Sequence, residues 1–76
     1  MNNLEKLIEI MKEIRPDVDF EKETKLIDDD ILDSFDIISI VTEVNVEFGV
    51  DININDLLPE NFNSAQALYE LITKNE

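Results

Sequence analysis

The 76-residue chain contains no cysteine and no histidine, and only one glycine. Without cysteine there is no disulfide framework and no thiolate metal site. Without histidine, a nucleophilic serine lacks its usual general base. Basic residues are scarce as well, six against nineteen acidic ones, for a net charge of −13. A surface of that sign repels phosphate backbones, which argues against nucleic-acid binding, and anionic membranes are disfavoured for the same reason. No apolar run approaches membrane-spanning length, and the start Met1-Asn2-Asn3-Leu4-Glu5 lacks the basic region of a signal peptide. A soluble, cytoplasmic protein without membrane insertion is expected.

What remains is a core-forming chain. Hydrophobic residues make up 43% of it, enough for one small domain over residues 1–76, near the lower size at which chains fold without staples. Leu4, Leu7, Ile8, Met11 and Ile14 recur at helical spacing, opposite Glu5, Glu9, Lys12 and Glu13. Asn2 or Asn3 caps this first helix, and Pro16 stops it at about Arg15. Residues 16–33 read as a long polar connection. Its Val18, Phe20, Leu26, Ile27, Ile31 and Leu32 imply that it lies against the helices.

A second helix starts at Asp33 or Ser34, with Ile37, Ile40, Val41, Val44 and Phe48 on one face and Gly49 as its left-handed end. The β-branched richness here also fits a strand, but the spacing and Gly49 favour helix. Val50 to Ile54 reads as an extended connector whose Ile52 and Ile54 enter the core. A short turn of helix follows near Asn55 to Leu58, broken by Pro59. The last helix starts at Asn63 or Ser64, with Asn63 and Gln66 spaced as a capping box and Phe62 as a staple. Its buried face is Ala65, Leu68, Leu71 and Ile72. The expected fold is all-α, a small three- to four-helix up-and-down bundle.

Projected at about 100° per residue, Phe35, Thr42 and Val46 fall opposite the core face, with Asp36, Glu43 and Glu47 beside them. Apolar side chains ringed by acids suit transient docking of basic partners. Two readings stay open for Phe35, docking or packing under the first loop, whereas exposure is preferred for Val46. The acidic runs Asp17-Asp19-Glu21-Glu23 and Asp28-Asp29-Asp30 invite a calcium loop. Neither places glycine sixth and glutamate twelfth as such a loop needs, so no dedicated metal site is expected.

Ser34 sits between Asp33 and Phe35-Asp36 at the head of the second helix. No lysine lies near it in sequence, so hydrolase chemistry is disfavoured. One reading is a plain helix cap; Asp33 can fill that role instead. The other is attachment of a phosphate-linked group, because the open N–H groups and positive dipole end of a helix favour an anion.

The run Leu32-Asp33-Ser34-Phe35-Asp36, followed by Ile38, Ile40-Val41 and Glu47-Phe48-Gly49-Val50, resembles the acyl carrier protein family. The likeness extends to the long first loop and the closing "FNSAQALYELI". It implies an acyl-carrier-like bundle that is not an enzyme and that carries 4′-phosphopantetheine on Ser34, with Asp33 as the motif residue and cap. It also implies a phosphopantetheinyl transferase, an acyl- or aminoacyl-loading ligase and downstream synthase or transferase enzymes as partners of a monomeric carrier. The chain departs from the family at three places. Asp30-Ile31 replaces the glycine before the motif, Phe35 stands for leucine, and Ser39 for a commonly acidic residue. The departure at Ser39 points to an accessory fatty-acid, polyketide, nonribosomal-peptide or D-alanyl pathway. The rival reading, from a different class, is an acidic helical interaction module whose serine is never modified.

Overall fold

The computed structural model describes residues 3–75, the side chain of Ile54 excepted. The described residues form four α-helices, α1 (Asn3–Ile14), α2 (Ser34–Phe48), α3 (Pro59–Phe62) and α4 (Ala65–Lys74), and a 3₁₀ turn at Ile54–Asp56. There is no strand among the described residues, and none of their helices is long and apolar enough to cross a membrane. The caps proposed at Asn2 or Asn3 cannot both be compared, since Asn2 lies outside the described residues and Asn3 is itself the first helical residue.

α1 buries Leu7, Ile10 and Met11, flanked by half-buried Leu4, Ile8 and Ile14. Ile10 was not among the apolar positions expected there. The Arg15 amide donates to the Met11 carbonyl at 2.9 Å, so the last turn closes just before Pro16. α2 spans 15 residues and packs Ile40 and Val44 fully inside, with Ile37, Val41 and Phe48 half-buried around them. The β-branched run therefore forms helix, because one stripe of it meets the core. Gly49 ends the helix at φ 65°, ψ 33°, with nothing near its missing Cβ. Backbone conformation, not crowding, selects glycine there. α2 has no basic residue in its last turn. Lys6 of α1 supplies that charge, donating from Nζ to the Glu47 carbonyl at 3.1 Å and lying 5.0 Å from the Phe48 ring centre.

The connection over residues 16–33 lies on the bundle. Val18, Phe20, Leu26 and Leu32 are buried, Phe20 and Leu26 almost completely. Each side chain of that size contributes about 1.5–3 kcal/mol when buried, which holds a segment that has no helix of its own. The amides of Ile31 and Leu32 both donate to the Leu26 carbonyl, at 2.9 and 3.0 Å, folding residues 26–32 into a tight loop. Asp30 in that loop takes φ 56°, a left-handed conformation that a short polar side chain tolerates.

Two expectations need correction in the second half. The short turn of helix expected near Asn55 to Leu58 is present as the 3₁₀ turn Ile54–Asp56, but Pro59 does not break it; it opens α3, where its missing N–H and fixed φ suit the first turn. Asn63 does not cap α4 with Gln66. Ser64 does, its Oγ accepting from the Ala67 amide at 3.0 Å. Asn63 serves the long connection instead: its carbonyl accepts from Leu26, and its side-chain oxygen from the amides of Ile27 and Asp28. Phe62 is buried, as is Ile52 in the extended connector; Ile54's side chain lies outside the described residues.

α1 packs against α2 and α4, and α3 against α4. The shared core is led by Leu7, Met11, Phe20, Leu26, Ile40, Val44, Leu68 and Ile72. The protein is thus a small, compact four-helix bundle, and its 11.0 Å radius of gyration matches the roughly 11 Å expected for this length.

Candidate functional site

The start of α2 is built by a reciprocal capping pair. Asp33, in extended backbone, accepts the Asp36 amide on Oδ1 at 2.9 Å, and Asp36 Oδ2 accepts the Asp33 amide at 3.2 Å. Two of the donors that a helix start leaves open are satisfied in this way. Ser34 and Phe35, lying between the two, are exposed. Their amides and the Ser34 hydroxyl have no hydrogen-bond partner among the described residues. Ser34 is therefore not the cap. Its hydroxyl stands free in the first turn, with the positive end of the helix dipole behind it.

The nearest charges in sequence are the carboxylates of Asp33, whose Oδ1 accepts the Asp36 amide, and of Asp36, whose Oδ2 accepts the Asp33 amide and Arg15 Nη1. A group placed on Ser34 from outside would displace no internal contact of the hydroxyl.

Behind this turn stands Arg15, just past the end of α1. Its Nε and Nη2 grip the two oxygens of Asp17 at 3.0 and 2.9 Å, while Nη1 donates to the Ile31 carbonyl at 3.0 Å and to Asp36 Oδ2 at 2.6 Å. The hydrogen bonds of Asp17, then those of Asp36, push the Arg15 pKa up, further above an already high range. In return Arg15 holds the Asp17 carboxyl below its ordinary value, helped by a backbone hydrogen bond. Sequence reading gave Arg15 no role beyond marking the end of a helix. The partners lie 16 and 21 residues away in Ile31 and Asp36, where no local spacing reveals them.

The expected docking strip is exposed along α2, apart from one residue. Phe35 is 81% and Val46 74% exposed, which settles the two readings of Phe35 against packing under the loop. Thr42, Glu43 and Glu47 are exposed too, with the Thr42 hydroxyl donating to the Ile38 carbonyl at 2.8 Å. Asp36 is not a free member of this strip. Its side chain is only 15% exposed and is held by Arg15 and the capping pair. Ile38, at 59% exposure, takes its place and continues the line Phe35, Ile38, Thr42, Val46. From sequence, Ile38 enters only the β-branched run and the family resemblance, not the docking strip. A helical projection that weighted it would have found it.

The carboxylates of Asp28, Asp29 and Asp30 are exposed on the long connection. Among the described residues no group of three or more acidic side chains is arranged to hold a metal ion. Comparison with protein-family models, with curated proteins and with solved structures returned no match to this chain.

Proposed function

We propose that this protein is a carrier: a monomeric bundle, working in the cytoplasm, that bears 4′-phosphopantetheine on Ser34 and presents cargo to partner enzymes. The observation that carries the reading is the free, exposed Ser34 hydroxyl in the first turn of α2, with Asp33 already capping the helix. A serine that neither caps nor packs is spare for modification, and the open amides beside it suit a phosphodiester. The similarity of Leu32-Asp33-Ser34-Phe35-Asp36 to the acyl carrier protein motif supplies the identity of the group.

The residues fit such a group. In the modification, Ser34 Oγ would attack the pyrophosphate of coenzyme A at the pantetheine side. An Oγ–P bond forms, the anhydride P–O bond breaks, the adenosine bisphosphate departs and the hydroxyl proton passes to the transferase. When bound, the group supplies a thiol on a flexible arm, which holds an acyl or aminoacyl cargo as a thioester. The chain's own residues hold the attachment point rigid and offer a surface for the enzymes to read. Tethering then raises the effective concentration of cargo at successive active sites. In this account the partner enzymes perform the chemistry. The departure at Ser39 favours an accessory pathway, with a fatty acyl, polyketide, aminoacyl or D-alanyl cargo chosen by the loading ligase.

A second reading has one observation of its own. Phe35, Ile38 and Val46 form an exposed apolar line on α2 beside Glu43 and Glu47, which suits docking of basic partners whether or not Ser34 is modified. Incubation with coenzyme A and a phosphopantetheinyl transferase, followed by intact mass, separates the two. The carrier gains one phosphopantetheine, and Ser34→Ala gains none.

A further inference from the structure

Arg15 donates four hydrogen bonds to three separate pieces of chain: Asp17 just after α1, the Ile31 carbonyl at the end of the long connection, and Asp36 in the first turn of α2. We propose that Arg15 is the positioning residue for Ser34 and acts through Asp36. The purpose given to that positioning rests on the carrier reading; the positioning itself does not.

The argument runs along the contacts. Asp36 Oδ2 is shared between Arg15 Nη1 at 2.6 Å and the Asp33 amide at 3.2 Å. The Asp33 carboxylate in turn holds the Asp36 amide. Two carboxylates are thereby held at one helix start, each on the other residue's backbone amide, and like charges brought together repel. Arg15 is the only cation hydrogen-bonded to either of them among the described residues. Remove it, and the largely buried Asp36 carboxylate turns towards water, the Asp33 amide opens and the return half of the capping pair is lost. The Ile31 carbonyl is released in the same event, so residues 31–33, which lead the chain into α2, lose one of their ties and keep the amide bonds of Ile31 and Leu32 to the Leu26 carbonyl. Ser34 lies between the two loosened points. It would then be presented over a range of positions instead of one.

A simple surface pair between Arg15 and Asp17 would do none of this, and substitution separates the two cases. The guanidinium grips Asp17 with two parallel bonds while its third nitrogen faces Ile31 and Asp36; an ammonium is a point charge that cannot span all three. Arg15→Lys therefore keeps the charge but not the bridge. Asp36→Asn keeps a side-chain oxygen for the Asp33 amide and removes the charge that Arg15 holds.

The test is amide hydrogen exchange on the full-length chain, for wild type, Arg15→Gln, Arg15→Lys, Asp36→Asn and the Arg15→Gln/Asp36→Asn pair. Protection at Leu32, Asp36 and Ile37 should fall about tenfold in Arg15→Gln and in Asp36→Asn, with α4 amides unchanged. Lysine should restore only part of it, and the double variant should lose no more than either single one, because both break the same link. Unchanged protection at those three amides, full rescue by lysine, or a uniform loss that includes α4 would overturn the proposal. Transferase kinetics with coenzyme A give the second readout. Arg15→Gln should lose on the order of tenfold in kcat with little change in KM, as expected when a reacting atom is misplaced while docking contacts remain. A variant with loosened exchange but wild-type kcat would end the positioning role. Wild type that takes up no phosphopantetheine would instead end the carrier reading, and the exchange data would still decide whether Arg15 fixes the start of α2.

Discussion

Replacing Asp33 by alanine and, separately, Ser34 by alanine should give opposite stability results from adjacent residues. Asp33 Oδ1 accepts the Asp36 amide at 2.9 Å and takes part in both halves of the capping pair. Its loss should cost about 1 kcal/mol, within the roughly 0.5–2 kcal/mol range for removal of an acidic or hydroxyl cap. In a domain of this size that lowers Tm by about 4–8 °C. The Ser34 hydroxyl is exposed and bonds to nothing among the described residues, so Ser34→Ala should stay within about 0.5 kcal/mol of wild type. Thermal and urea melts followed by circular dichroism, on the same preparations, measure both. Comparable losses in the two variants would refute the reasoning. They would mean that Ser34 shares the capping work and that its hydroxyl is not spare.

Four further outcomes follow from the same geometry. Glu43→Lys should leave stability within about 0.5 kcal/mol yet slow association with the transferase at low salt, the deficit shrinking as salt screens it; Phe35→Ala should shorten complex lifetime instead, and equal kinetics for both variants and wild type would place docking elsewhere. Asp36→Lys, which looks harmless from a helical projection, should destabilise the fold, because it breaks the Arg15 pair and the cap together. Gly49→Ala should cost about 1–2 kcal/mol in urea melts, from the left-handed φ of 65° alone since space for a Cβ is open. Acid should weaken the Arg15 clamp in a set direction: Asp17 titrates lower when folded than its ordinary value of about 3.9. Its stabilisation is therefore complete above that value and is lost as pH falls through the lower, folded-state value. The stability gap between wild type and Arg15→Gln should accordingly narrow below about pH 4, and a gap independent of pH would contradict the pairing.

Local chemistry made much of this molecule legible in advance. Gly49 marked the end of α2 because only one kind of residue takes that conformation cheaply, and Asp33 marked its start because a short acid at that point satisfies open amides. The apolar residues of the long connection foretold that it would lie on the core, since Phe20 and Leu26 have nowhere else to go. Pro59 was misread because proline both ends helices and begins them, and the sequence on either side does not distinguish the two. Asn63 was misread because its side chain serves amides 35 and 36 residues away in the chain, while its neighbour Ser64 was equally fit to cap. Arg15 and the true place of Asp36 escaped for the same reason. Their link spans 21 residues and exists only once the connection has folded back.

The central claim is that Ser34 is an attachment point, and the intact mass of the protein after reaction with coenzyme A and a phosphopantetheinyl transferase tests it most directly. The account predicts a gain of one phosphopantetheine on wild type, mapped by fragmentation to Ser34 and absent from Ser34→Ala. No mass gain across transferases of different specificity, or a gain that persists in Ser34→Ala or maps to Ser39, would contradict it.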